Sequence, residues 1–154
     1  MHIRQATIAD LESVVEFNRL LASESEGKTL DLAKLRPGVA AALEDAHKGL
    51  YFLAENKDEA LGQMGVTYEW SDWRDGWFWW IQSVYVRPEY RRRGVFRAIF
   101  EHIVAVARRS NVIGLRLYVE RDNTVAHKTY QKMGYEWTTY QVMEKYPLAD
   151  PLAG

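Results

Sequence analysis

The chain has no cysteine. That excludes disulfides, thiolate metal sites and a cysteine nucleophile, and it fits a reducing compartment. No apolar run approaches the roughly 18 to 20 residues that a membrane helix needs, and the first ten residues carry no leader-like apolar stretch. The expectation is therefore a cytoplasmic protein with no membrane partner. An excess of one charge is lacking as well: 20 Lys plus Arg stand against 21 Asp plus Glu, with a formal net charge of −1. An overall basic field for nucleic acid is thus absent. The four histidines, His2, His47, His102 and His127, show no H-E-x-x-H or related ligand spacing, so no metal is expected. At 154 residues the chain suits a single domain spanning 1–154, with one substantial core.

What is present is a regular alternation of patterns. His2 to Gln5 reads as a short strand, and apolar positions from Ile8 through Leu11, Val14, Val15, Leu20 and Leu21 recur at helical spacing, with Asp10 placed to help start that helix. Ser23 to Lys28 reads as an exposed loop, followed by a second helical pattern over 30–46 in which Pro37 either opens the main segment or kinks it. Leu50 to Glu55 suits a buried strand. Two long strand-like runs, 60–70 and 77–87, flank Ser71 to Gly76 and predict a tryptophan-rich antiparallel hairpin. Phe96, Ile99, Phe100, Ile103, Val104 and Ala107 then trace one buried helix face. A strand over 115–119, a helix over 124–133 stopped by Gly134, and a last strand over 135–144 complete an α/β order.

The most specific stretch is Pro88-Glu-Tyr-Arg-Arg-Arg-Gly-Val-Phe96, which sets three arginines and a glycine between a strand and a helix. A turn of this kind offers unpaired backbone N–H groups and the positive end of the helix dipole, which together suit a phosphate or pyrophosphate. Solvated surface charge is the alternative, and a local nucleic-acid patch is a third reading that the charge balance opposes.

Arg91-x-x-Gly94-x-Phe96 after a strand, followed by Asn123-x-x-Ala126-x-x-x-Tyr130-x-x-x-Gly134-Tyr135, resembles the GNAT superfamily of acetyl-CoA-dependent N-acetyltransferases. The likeness is specific over about 79–144; the earlier half shares the element order only. Phe96 departs from the signature, which has a small residue there, and its place on the apolar stripe favours a side chain turned to the core.

The resemblance implies an α/β fold with a mixed central sheet of about six to seven strands flanked by about four helices. It implies that backbone amides of the turn, Arg91, Arg92, Arg93, Gly94, Val95, Phe96 and Arg97, receive the pyrophosphate of coenzyme A. Val84, Tyr85 and Val86 would bind the pantetheine arm as an added strand does, with N–H groups near Val84 stabilising the oxyanion, and Asn123 would bond the arm from the next helix. Tyr130 would be the general acid that protonates the leaving thiolate, as a phenol near pKa 10 can do for a thiol near about 8.5. A distant similarity to diamine N-acetyltransferases goes with the tryptophan hairpin.

The implied reaction is direct transfer from acetyl-CoA to a primary amine of a small molecule such as a polyamine, an amino acid or an aminoglycoside-like compound. A protein amine and a non-catalytic acyl-CoA-binding module are the alternatives. Positions where relatives place a basic glutamate hold Gln82 and Tyr118, leaving water or a group such as Glu24, Glu26, Glu69 or Glu120 to deprotonate the amine. Glu24 and Glu26, with Gln82 and Tyr118, are the candidate acceptor contacts. A homodimer through the aromatic segment 135–146 is a further expectation.

Overall fold

The structure is a computed structural model that describes residues 1–57 and 59–148. It divides into two compact units, 1–118 and 119–154.

The first unit is built on a five-stranded sheet in the order β1-β2-β3-β4-β5. β1 (His2–Gln5), β2 (Leu50–Asn56), β3 (Glu59–Ser71) and β4 (Gly76–Val86) pair antiparallel, and β5 (Val112–Leu117) joins β4 in parallel. The β3–β4 hairpin pairs Trp70 with Trp77 and Ser71 with Gly76, as the tryptophan-rich pattern predicts. The parallel β5 follows because helix α3 (Val95–Arg108) intervenes as a crossover.

Successive side chains of a strand point to opposite faces, and β2 shows the consequence. Phe52 and Ala54 enter one core cluster with Val95, Ile99, Ile103 and Ala107 of α3. Leu53 enters another, with Val14, Val15 and Phe17 of α1 (Leu11–Glu26) and Val39 of α2 (Leu32–Glu44). The sheet is thus covered by α3 on one face and by α1 and α2 on the other. Ile99 and Ile103 are fully buried, and each such side chain contributes about 1.5–3 kcal/mol relative to exposure.

Several expected boundaries move. Ser23 to Glu26 form the last turn of α1 rather than a loop, because Gly27 adopts φ +61 and returns its N–H to Ser23 O at 3.1 Å, closing the helix there. Asp10 does not cap α1 with its side chain; it accepts from the Thr7 N–H at 2.8 Å and pairs with Arg4. Asp31 caps α2 through the Ala33 N–H at 2.9 Å, and Pro37 lies inside that helix.

The second unit contains α4 (Thr124–Lys132). The strand expected over 135–144 is absent, so the sheet has five strands among the described residues where about six to seven were expected. An alternating pattern gives a segment the right faces, but a strand forms only where a neighbour takes its hydrogen bonds. The described part of this unit holds no such neighbour, and 136–148 are exposed.

Candidate active site

The turn ahead of α3 has the conformation that the sequence pattern anticipates. Arg92 and Gly94 both sit in the left-handed region, at φ +62 and +81, and the first bond of the helix runs from the Ala98 N–H to Gly94 O at 3.0 Å. The N–H groups of Val95, Phe96 and Arg97 therefore have no carbonyl partner within the helix. A Cβ placed on Gly94 would meet no atom within 4 Å, so the space above the turn is open. The Phe96 side chain packs against the α3 core cluster and stacks on Phe100 with ring centroids 6.4 Å apart, leaving its backbone to line the turn.

The arginines divide their labour. Arg91 donates from Nε to Val86 O at 2.8 Å and from Nη2 to Glu24 Oε2 at 2.6 Å. The Tyr85 hydroxyl donates to the other oxygen of Glu24 at 2.9 Å, so the end of α1, the end of β4 and the turn are joined. Arg91 holds the Glu24 carboxyl below the usual range, and burial pushes the Tyr85 hydroxyl up. Arg97 pairs with Glu101 along the helix at 2.8 Å. Arg92 and Arg93 are exposed, and among the described residues neither makes a hydrogen bond or an ion pair.

β4 is irregular just upstream. Gln63 pairs with Tyr85 while Gly65 pairs with Gln82, so Ser83 and Val84 together oppose one residue of β3. This is a β-bulge, and Ser83 adopts φ +51 within it, a conformation that costs a non-glycine residue about 1–2 kcal/mol. Buried Gln63 supports it by donating to Ser83 O at 3.1 Å. The parallel ladder with β5 ends at Ile81 opposite Leu117, whereas β4 runs on to Val86. Residues 82–86, including Val84, Tyr85 and Val86, thus have no β5 partner in the ladder.

A cavity of about 480 Å³ opens on the α1/α2 face of the sheet, lined by residues that include Asn18, Leu35, Val39, Tyr51 and the bulge residue Ser83. Its volume lies within the usual range for small-molecule sites, about 300–1,000 Å³. The four acceptor contacts expected from the sequence, Glu24, Glu26, Gln82 and Tyr118, do not line it. Glu24 is held by Arg91 and Tyr85, and Glu26 lies 3.5 Å from Lys28. Gln82 donates to Thr67 Oγ1 at 2.5 Å, and Tyr118 stacks on Trp80 at 4.5 Å. Glu69 is taken by Trp80 Nε1 and Arg116.

In the second unit, the Asn123 side chain accepts from the Ala126 N–H at 3.1 Å, which makes the N-x-x-A spacing an N-cap on α4. Tyr130, Gly134 and Tyr135 form the other end. The Tyr135 N–H bonds Tyr130 O at 3.0 Å, the Gly134 N–H bonds Gln131 O at 3.1 Å, and Gly134 has φ +92. That is a Schellman closure, completed by the edge-to-face rings of Tyr130 and Tyr135, 5.4 Å apart. Burial raises the Tyr130 hydroxyl above its ordinary pKa of 10.0, so it keeps its proton at neutral pH and can act as a donor.

The family model for the acetyltransferase (GNAT) family matches residues 15–135, spanning both the Gly94 turn and the α4 motif. This chain belongs to the GNAT family.

The GNAT chain is 43% identical to a possible acetyltransferase from Clostridium difficile, over 96% of this chain and 98% of that one, with a TM-score of 0.89. A predicted acetyltransferase from Clostridium acetobutylicum, solved with acetyl-CoA, is 17% identical over 94% of this chain and 95% of its own, with a TM-score of 0.78. A GCN5-related N-acetyltransferase from Ralstonia eutropha is 20% identical over 94% and 97%, with a TM-score of 0.75. The last two likenesses bear on the fold.

The protein is an N-acetyltransferase whose donor is acetyl-CoA. The residues present fit that donor: the open space over Gly94, the exposed Arg92 and Arg93 and the β4 segment beyond Ile81 offer room, charge and backbone. Among the described residues no helix is long and apolar enough to cross a membrane.

The cavity-lining residues Asn18, Tyr51 and Ser83 are not among the candidates that the sequence suggests. Asn18 carried a readable signal, a polar residue in line with the apolar positions Leu11, Val14 and Leu21. Ser83 carried none, because a bulge is a property of two strands in register.

Proposed function

We propose that the protein transfers the acetyl group of acetyl-CoA directly to a primary amine of a small molecule bound in the cavity beside the β4 bulge. The observation that carries this reading is that Ser83 belongs both to the cavity lining and to the bulge that interrupts β4. An acceptor in the cavity then lies against the strand segment that backbone recognition assigns to the donor's arm.

Bound acetyl-CoA supplies the thioester. The chain's own residues supply the rest: N–H groups of Val95, Phe96 and Arg97 with Arg92 and Arg93 hold the pyrophosphate, and Val84 and Val86 offer backbone to the arm. N–H groups near Val84 take charge that develops on the carbonyl oxygen, and Asn123 contacts the arm. Tyr130 donates a proton to the departing sulfur, supported by its motif position and by a phenol that stays protonated at neutral pH. Arg91, engaged by Glu24 and Val86 O, acts by holding the turn in shape.

We further propose that residues 1–154 work as one domain, which the span of the family match supports. A homodimer through the exposed apolar segment containing Trp137, Tyr140 and Met143 belongs to the same reading.

The test is calorimetric titration with acetyl-CoA, followed in the same sample by thiol release against amino acids, polyamines and aminoglycosides. Binding with release for one class supports the proposal. Binding with no release for any amine refutes the small-molecule acceptor, and absence of binding refutes the donor site.

A further inference from the structure

The cavity grades from a polar floor, buried at Asn18 and half-buried at Tyr51 and Ser83, to an exposed charged rim. Asn18 is 8% exposed, and its side-chain nitrogen donates to Val14 O at 3.1 Å and to the Tyr51 hydroxyl at 3.3 Å. Both donor hydrogens of that amide are therefore used inside the protein, while Oδ1 has no hydrogen-bond partner among the described residues. That oxygen is not sealed from solvent, so it is open to a donor from outside the protein. The Tyr51 hydroxyl accepts from Asn18 and has no acceptor for its own proton among the described residues, and the Ser83 hydroxyl has no partner there at all. The floor is thus neutral, with one amide oxygen open to a donor and two hydroxyl protons uncommitted among the described residues.

The rim differs. Asp31 and Lys34, both exposed at the start of α2, line the cavity. One oxygen of Asp31 is occupied by the Ala33 N–H, and Lys34 makes no ion pair among the described residues. Leu30, Leu35 and Val39 supply apolar walls.

A polyamine would place several ammonium groups here against one part-occupied carboxylate, and Lys34 would repel it. An amine that also carries an anion meets the opposite situation. We infer that the acceptor is an α-amino acid with an apolar side chain: its amine meets Asn18 Oδ1 and the Tyr51 and Ser83 hydroxyls, its carboxylate meets Lys34, and its side chain lies on Leu30, Leu35 and Val39. The inference rests on the acceptor reading of the cavity given above and names the class of molecule it takes. With no carboxylate on the floor, the amine is bound there as the neutral nucleophile, having released its proton to solvent. Attack then forms the amide bond and breaks the thioester bond, the sulfur leaves with the bonding pair and takes up a proton, and the nitrogen loses one.

The test uses matched acceptors, leucine and 3-methylbutylamine, which differ only in the carboxylate, together with spermidine, all followed by thiol release from acetyl-CoA. The expected result is a kcat/KM for leucine at least about ten-fold above that for 3-methylbutylamine, the worth of one charge-assisted contact. That ratio should collapse toward one in Lys34→Met and survive in Lys34→Arg. Asn18→Leu should lower kcat/KM for leucine with the acetyl-CoA Kd unaltered, and circular dichroism with a Tm establishes that the variant folds.

A higher kcat/KM for the decarboxylated amine or for spermidine overturns the inference. So does a leucine preference that Lys34→Met leaves intact. Acetyl-CoA binding with no turnover of leucine and no calorimetric binding of it to the coenzyme complex also overturns the inference while the donor site stands. Failure to bind acetyl-CoA strikes the broader reading instead, and leucine binding to the free protein, lost in Lys34→Met, then decides the cavity by itself.

Discussion

Replacing Gly94 by alanine separates what this residue does for the chain from what it does for the donor. Gly94 sits at φ +81, where a Cβ costs about 1–2 kcal/mol, but that Cβ would meet no protein atom within 4 Å. The whole loss of stability therefore comes from backbone conformation. For a chain of this size about 2–4 °C of Tm accompanies each kcal/mol, so Gly94→Ala should melt about 2–8 °C lower. Gly27→Ala is the matched control, because Gly27 has φ +61 and its added Cβ is likewise unopposed, but it closes α1 and is not itself part of the turn ahead of α3.

The two variants should lose similar stability. They should differ in coenzyme affinity, because only at Gly94 does the methyl group occupy the open space over the N–H groups of α3. A Kd for acetyl-CoA raised at least ten-fold, about 1.4 kcal/mol, is expected for Gly94→Ala and no change for Gly27→Ala. Calorimetry with acetyl-CoA and a melting scan supply both numbers. An unaltered Kd in Gly94→Ala, with the expected drop in Tm, would refute the argument and reduce this glycine to a helix start.

Tyr130→Phe should cut kcat by about 10²–10⁴ with the acetyl-CoA Kd preserved, measured by thiol release and calorimetry, since it removes only the proton donor. Acidification should expose the cluster of Arg4, Asp10 and Glu55. Arg4 holds both carboxyls below their ordinary values of 3.8 and 4.5, so their contribution is complete above those values and is lost as pH falls through the lower folded ones. Arg4→Met should therefore be less stable at pH 7, and its stability should fall less steeply below about pH 4.5, as urea titrations across pH would show. Ile103→Ala, at a fully buried site on α3, should cost about 2–5 kcal/mol in the same assay. Sedimentation velocity should show a dimer, and a monomer at working concentration would dispose of the interface assigned to the segment containing Trp137 and Met143.

The features legible in the sequence are those whose cause lies within a turn or two of chain. The stripe Phe96, Ile99, Phe100, Ile103 identified α3 because helical geometry alone puts those residues on one face. The hairpin of β3 and β4 was legible because its turn joins adjacent strands. Gly94 and Gly134 were legible because a left-handed position strongly favours glycine. The segment 135–144 misled because alternation describes faces and says nothing about whether a partner strand is there. The acceptor candidates Glu24, Glu26, Gln82 and Tyr118 came from charge and motif position, and the structure puts their side chains in contacts of their own, outside the cavity.

From the chain order alone come the α/β alternation, the anion-receiving turn at Arg91 to Gly94 and the family that the motifs resemble, because each is written in residues close together. Only the tertiary structure brings Arg91 to Glu24 across 67 residues, opens the bulge at Ser83 by the register of two strands, and gathers Asn18, Lys34, Tyr51 and Ser83 around one cavity. Those contacts depend on how β2, β3 and β4 pair and on where α1 and α2 settle across them. That is a balance of burial over the whole sheet, which no local spacing records.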